Sequence, residues 1–135
     1  MYKRQPRSSA ETSHDPLDRE VVEELQELGA EGFRQVYTRY ADNLDGWVAG
    51  LVAAATGPGG SAPDDEDSAP RLAHRLKGSS ASLGAGELAA LCQRIEGIDT
   101  LAPADRDELL AAFRVEAGRV GTAVRRLLAE AAVRR

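Results

Sequence analysis

Apolar residues recur along this chain at intervals of three and four. At about 100° per residue, that spacing lays them along one side of a helix. Leu17, Val21, Leu25 and Leu28 predict a short first helix. Asp15-Pro16 supplies a capping side chain and a proline suited to the first helical position, Asp18 follows three residues after the cap, and Gly29 reads as the stop. Phe33, Val36, Tyr37, Tyr40, Leu44, Trp47, Val48, Leu51 and Val52 hold the rhythm through a long second helix, which Gly57-Pro58-Gly59-Gly60 ends.

Leu72, Leu76 and Leu83 mark a third helix, with Gly84 and Gly86 punctuating its end. Pro70 is awkward there, because proline in a helix interior removes a hydrogen bond and clashes with the preceding turn. A start near Ser68 leaves Pro70 in the first turn, where it is tolerated; a longer, kinked helix is the alternative. Ser79 and Ser80 read as small packing residues on the core side of this helix. Leu88, Leu91, Cys92, Ile95 and Ile98 predict a fourth helix. Pro103 opens a last one through Leu109, Phe113, Val120, Val124, Leu127 and Ala131. Gly118 and Gly121 weaken it by about 1 kcal/mol each relative to alanine.

No segment alternates with period two, so no strand is expected. The fold expected is all-α: an antiparallel four-helix bundle of the longer helices, with the short additional N-terminal helix capping one end. The bundle should span residues 15–133, after a polar, aperiodic and disordered tail over 1–14. Residues 57–67, with Asp64, Asp65, Glu66 and Asp67, should form a flexible acidic loop.

Composition narrows the function. A chain of 135 residues is one domain with room for a core. The net charge of −5 and pI near 5.1 argue against nucleic acid as a partner. Cys92 is the single cysteine, which excludes an internal disulfide and a cysteine-built zinc site and fits a reducing cytoplasm. With two histidines, a histidine-rich metal site is also out of reach. No apolar run approaches the roughly 20 residues of a membrane span. The basic start, Met1 to Arg7, is followed by polar residues, unlike a secretory signal. A soluble, cytoplasmic, monomeric protein is expected.

His74 points almost directly away from the Leu72–Leu76–Leu83 stripe, so core packing does not account for it. On its face lie Arg71, Lys77, Gly78 and Ala81. One imidazole, flanking cations and a floor without bulk would suit a nucleophile that handles a phosphoryl group.

The run Ala73-His74-Arg75-Leu76-Lys77-Gly78-Ser79-Ser80-Ala81-Ser82-Leu83-Gly84-Ala85, followed by Leu88, Cys92 and Ile95-Glu96, resembles the signature of the histidine phosphotransfer (HPt) domain, AHxLKGxxxxLGA. The resemblance implies a helical bundle that accepts a phosphoryl group on His74 and exchanges it with aspartates of response-regulator receiver domains, or takes it from a sensor histidine kinase. It implies a phosphocarrier in two-component signalling, without kinase activity of its own. This chain departs from the pattern in two places. Pro70 and the acidic loop lie unusually close before the histidine, and Glu96 stands where the family often has glutamine.

The chemistry follows. A neutral imidazole is a good nucleophile, and by resemblance the attacking atom is Nε2. The other nitrogen then needs an acceptor to set tautomer and ring angle. Glu96, on the rim of the fourth helix, is the best candidate, against the plainer reading of an exposed carboxylate. Lys77 would stabilise the phosphoryl oxygens, although a lysine on a helix surface is commonly just solvated. Gly78 costs helix stability and would repay it as steric clearance for a partner's aspartyl phosphate. Ala81, Ala85 and apolar residues of the first helix would frame the docking face. Arg71 and Arg75 read as solvated charge, and Cys92 as core.

The sequence holds no glycine-rich nucleotide loop and no kinase signature. No cofactor of its own is expected, and Mg2+ would come from the partner receiver domain. Two rival readings remain. One is an HPt-like interaction module that is never phosphorylated. The other is the dimerisation and phosphoacceptor bundle of a histidine kinase, which is disfavoured because no acidic residue directly follows the histidine and no ATP-binding domain is present.

Overall fold

The computed structural model describes residues 15–57 and 67–133. The tail expected over 1–14, and all but the two ends of the loop expected over 57–67, lie outside the described residues. Five helices follow one another: α1 (Arg19–Gln26), α2 (Gly29–Thr56), α3 (Ala69–Ser82), α4 (Gly86–Ile95) and α5 (Pro103–Val133), with a single 3-10 turn at Ile98–Thr100. No strand occurs among the described residues. Packing runs α2 on α3, α3 on α4, α4 on α5 and α5 back on α2, which closes a ring of four helices, while α1 lies against α2. Tyr37, Phe113, Leu44, Leu51, Leu88 and Ile95 fill the centre and are fully buried. Each such side chain contributes about 1.5–3 kcal/mol.

The helix boundaries show where local signals compete. α1 starts later than Asp15-Pro16 suggests, with Asp18 as its cap. The Asp15 carboxylate instead accepts from the Leu17 N–H at 3.1 Å, closing a small turn that lets Leu17 bury. The Asp18 N–H is held by the Gly84 carbonyl at 2.7 Å and is unavailable to an earlier helix. Gly29, at φ +91°, both ends the preceding turn and opens α2, so α2 begins ahead of Phe33. Leu28, expected on the apolar stripe, falls in that turn and is 57% exposed.

Ser68 caps α3, its hydroxyl accepting from the Arg71 N–H at 3.3 Å, and Pro70 sits in the first turn. That settles the choice against a kinked helix. Ser80 is buried, its Oγ 2.8 Å from the Tyr40 hydroxyl. Ser79 is exposed, contrary to the core-side expectation, because it turns toward the cleft between α2 and α3 rather than the seam. The end of α3 is tied down twice. The Tyr37 hydroxyl donates to the Leu83 carbonyl at 2.9 Å, and Gly84 adopts φ +91° against the Asp18 backbone. A Cβ at Gly84 would lie 3.1 Å from the Val21 Cβ and 3.2 Å from the Asp18 nitrogen, so strain and crowding both demand glycine. α4 stops at Ile95, and Ile98 is buried from the 3-10 turn rather than from the helix.

Candidate functional site

Three residues, Leu83 to Ala85, join α3 to α4. A link that short forces the two helices antiparallel. His74 lies ten residues before Gly84 and Glu96 lies twelve after it, so at about 1.5 Å per residue both stand at nearly the same height along the pair. The fold thereby brings together two residues that are far apart in sequence.

His74 sits on the second turn of α3 with 68% of its side chain exposed. Its Nδ1 lies 3.4 Å from Glu96 Oε2. Lys77, one turn further along, places Nζ 2.7 Å from the same oxygen. Lys77 and Glu96 are both partly buried, so the ion pair sits in the α3–α4 seam while the ring stands proud of it. The Glu96 carboxyl is held below its ordinary range, chiefly by the contact with the Lys77 ammonium; partial burial opposes the shift, and the charge of Lys77 and contact with His74 add to it.

This arrangement suits a nucleophile. A carboxylate beside Nδ1 favours the tautomer with the proton on that nitrogen, which leaves the Nε2 lone pair facing solvent. Glu96 is the cap residue at the carbonyl end of α4, its own N–H bonded to the Cys92 carbonyl at 3.1 Å. Negative charge at a helix C-terminus is unfavourable, and the Lys77 ammonium offsets it. His74 is the sixth residue of α3, past the turn where that helix's own positive end acts strongly.

Of the other residues singled out above, Gly78 is exposed and a Cβ built there meets nothing within 4 Å. No packing inside the chain demands its glycine. Ala81 is exposed beside the site, but Ala85 is completely buried and cannot frame a docking face; its N–H is turned inward to the Ser80 carbonyl at 2.8 Å. Arg71 is exposed. Arg75 instead lines a cleft of about 470 Å³ with Trp47, Leu72, Leu76 and Ser79. Trp47, expected on the core stripe, is 39% exposed at this cleft and meets Tyr40 edge-on at 6.0 Å. Cys92 is fully buried, and its thiol is pushed up to about 12, first by burial and then by the Glu96 charge. That leaves it protonated and inert.

Sequence reasoning missed one buried charge. Glu116 is 5% exposed on the same stripe of α5 as Phe113 and Val120. Ala117 already completes the apolar rhythm between those two residues, so nothing in the sequence signals that Glu116 beside it is also buried. Among the described residues, no group of three or more histidine, cysteine, aspartate or glutamate side chains could hold a metal ion. No helix among them is long and apolar enough to cross a membrane.

Comparison with known proteins gives one match. The family model described as the Hpt domain covers residues 19–133, from the start of α1 to the end of α5. Searches of curated proteins and of solved structures find no match. The match takes in the whole helical bundle and the histidine with its neighbours, and the chain belongs to the Hpt domain family, with a phosphotransfer role in two-component signalling.

Proposed function

We propose that this protein is a phosphorelay intermediate whose His74 accepts a phosphoryl group and exchanges it with receiver-domain aspartates. The observation that carries the reading is a solvent-facing imidazole, 68% exposed, with a carboxylate 3.4 Å from Nδ1. In the accepting step the Nε2 lone pair forms the N–P bond, the acyl-phosphate P–O bond breaks and the partner's aspartate leaves as carboxylate. The Nδ1 proton stays on the ring, facing Glu96. Lys77 offsets the charge on the phosphoryl oxygens, and Gly78 leaves room for the partner's loop to bring phosphorus within about 3–3.5 Å of the ring. The receiver's acidic pocket supplies the Mg2+ that such transfers use. The protein acts as a cytoplasmic monomer and carries the group without making it from ATP.

Incubation with phosphorylated receiver domains tests this. The wild type should gain an acid-labile, base-stable label, and His74→Gln should gain none. Label that persists in the variant removes His74 from the role. Absence of transfer from every cognate receiver would favour the unphosphorylated interaction module. Lys77→Ala should slow transfer about tenfold while the bundle stays folded by circular dichroism.

A further inference from the structure

The Lys77 ammonium does not stand where a phosphoryl group on Nε2 would be. It is bound to Glu96 Oε2 at 2.7 Å, on the Nδ1 edge of the ring. The imidazole reaches that same oxygen only at 3.4 Å. A good N–H···O bond measures about 2.7–3.2 Å, so the ring is held off while lysine occupies the oxygen. One carboxylate oxygen thus serves two donors, and the cation has the better share. A phosphoryl group on Nε2 would alter that balance. It carries up to two negative charges and three strong acceptors against the single charge of Glu96. Lysine's four-carbon stem lets its ammonium move without moving the helix.

We propose that Lys77 has two stations: Glu96 in the unphosphorylated protein and the phosphoryl oxygens in the phosphorylated one. Glu96 is released by the move and closes on the Nδ1–H of His74. This inference rests on the phosphocarrier reading and adds a device to it. Phosphorylation exchanges a Lys77–Glu96 pair for a Lys77–phosphoryl pair and a shorter Glu96–imidazole bond. Glu96 is a positioning residue here, and its pull on Lys77 opposes retention of the group. The device therefore favours passing the phosphoryl group on over storing it.

Phosphoramidate, a small phosphoryl donor, allows a test without any partner. The Nε2 lone pair forms the N–P bond, the P–N bond of the donor breaks, and the nitrogen leaves as ammonia. NMR at pH 8 then follows the Lys77 side chain (¹⁵Nζ and Hε), the Glu96 carboxyl carbon and the His74 Nδ1–H in wild type and Glu96→Gln. Before labelling, the Lys77 resonances of the two proteins should differ, because only one has the ion pair. After labelling they should coincide, because both lysines sit on the phosphoryl group. The wild-type Nδ1–H should move downfield as its hydrogen bond shortens. Lys77→Met, unlabelled, should shift the Glu96 carbon in the direction that phosphorylation shifts it in wild type.

Wild-type Lys77 resonances that stay put on labelling overturn the two-station proposal, and so do Lys77 resonances that remain distinct between the two labelled proteins. Either result leaves the phosphocarrier reading standing. A protein that takes no ³¹P label on His74 from either phosphoramidate or a phosphorylated receiver domain overturns that reading, and this proposal with it.

Discussion

Two carboxylates in this bundle each hold one cation at nearly the same distance and behave in opposite ways. Glu96 reaches across from α4 to Lys77 on α3 at 2.7 Å, and its carboxyl is held below its ordinary range by that contact. Glu116 pairs along α5 with Arg119 at 2.8 Å, yet burial pushes its carboxyl up, with Glu87 adding to the shift and Arg119 only opposing it. Exposure makes the difference. Glu116 is 5% exposed, so nearly all of it is withdrawn from water. Glu96 keeps 29% of its side chain in contact with solvent and has two donors converging on one oxygen. Desolvation of a carboxylate outweighs one attractive neighbour when nearly the whole group is withdrawn from water. A charge at the rim of a seam can be put to use, whereas the same charge inside the seam is mostly a cost.

Leucine at each position gives the largest contrast. Glu96→Leu should slow phosphoryl acceptance by His74 about tenfold or more, since the ring loses the acceptor that orients it. Glu116→Leu should raise unfolding free energy by about 1–2 kcal/mol and leave acceptance unchanged, because it removes a buried carboxyl while the Arg119 side chain, 35% exposed, can turn to water. Urea denaturation and labelling rates on both variants check the pair. A loss of stability in Glu116→Leu would mean that its ion pair outweighs its burial, and the comparison would fail.

Gly78→Ala sharpens the contrast from the open side of the site. Alanine should stabilise α3 by about 0.5–1 kcal/mol, because the new methyl meets nothing inside the chain. It should slow transfer from a receiver domain more than labelling by phosphoramidate, since only the larger donor needs the clearance. Equal slowing of both would remove the steric role.

The smallest effect is in the pH dependence of stability. The raised Glu116 carboxyl contributes stability below its unfolded value, about 4.3, that is lost as pH rises through its folded value. The lowered Glu96 carboxyl contributes stability above that unfolded value that is lost as pH falls through its folded value. The two windows therefore lie on opposite sides of about pH 4.3. Stability curves should lose the upper dependence in Glu116→Gln and the lower one in Glu96→Gln. Identical curves for the two variants would contradict the opposite directions.

Much of this was legible along the chain because helical periodicity is local. Spacings of three and four residues mark all five helices, the cap at Ser68 explains Pro70, and the angle of His74 from Leu72 and Leu76 places it on the wet face. Lys77 and Gly78 follow from the same arithmetic. The misreadings cluster where a second element intervenes. The start of α1 moved because Gly84 claims the Asp18 N–H. Ser79, Ala85 and Trp47 changed sides because burial at the edge of a stripe depends on the neighbouring helix. Glu116 was overlooked because Ala117 keeps the apolar pattern intact beside it.

The chain's own pattern was enough to specify five amphipathic helices and a histidine aimed at solvent with a lysine one turn on. It could nominate Glu96 as that histidine's neighbour but could not show that Lys77 reaches the same oxygen first, or that a glutamate of α5 would be buried. The reason is geometric. Within one helix the 3.6-residue turn sets every relative angle. Between helices, rotation and height are set by the three-residue link at Leu83–Ala85 and by how the side chains interlock. Differences of a fraction of an ångström at that level decide whether Glu96 belongs to the lysine or to the imidazole.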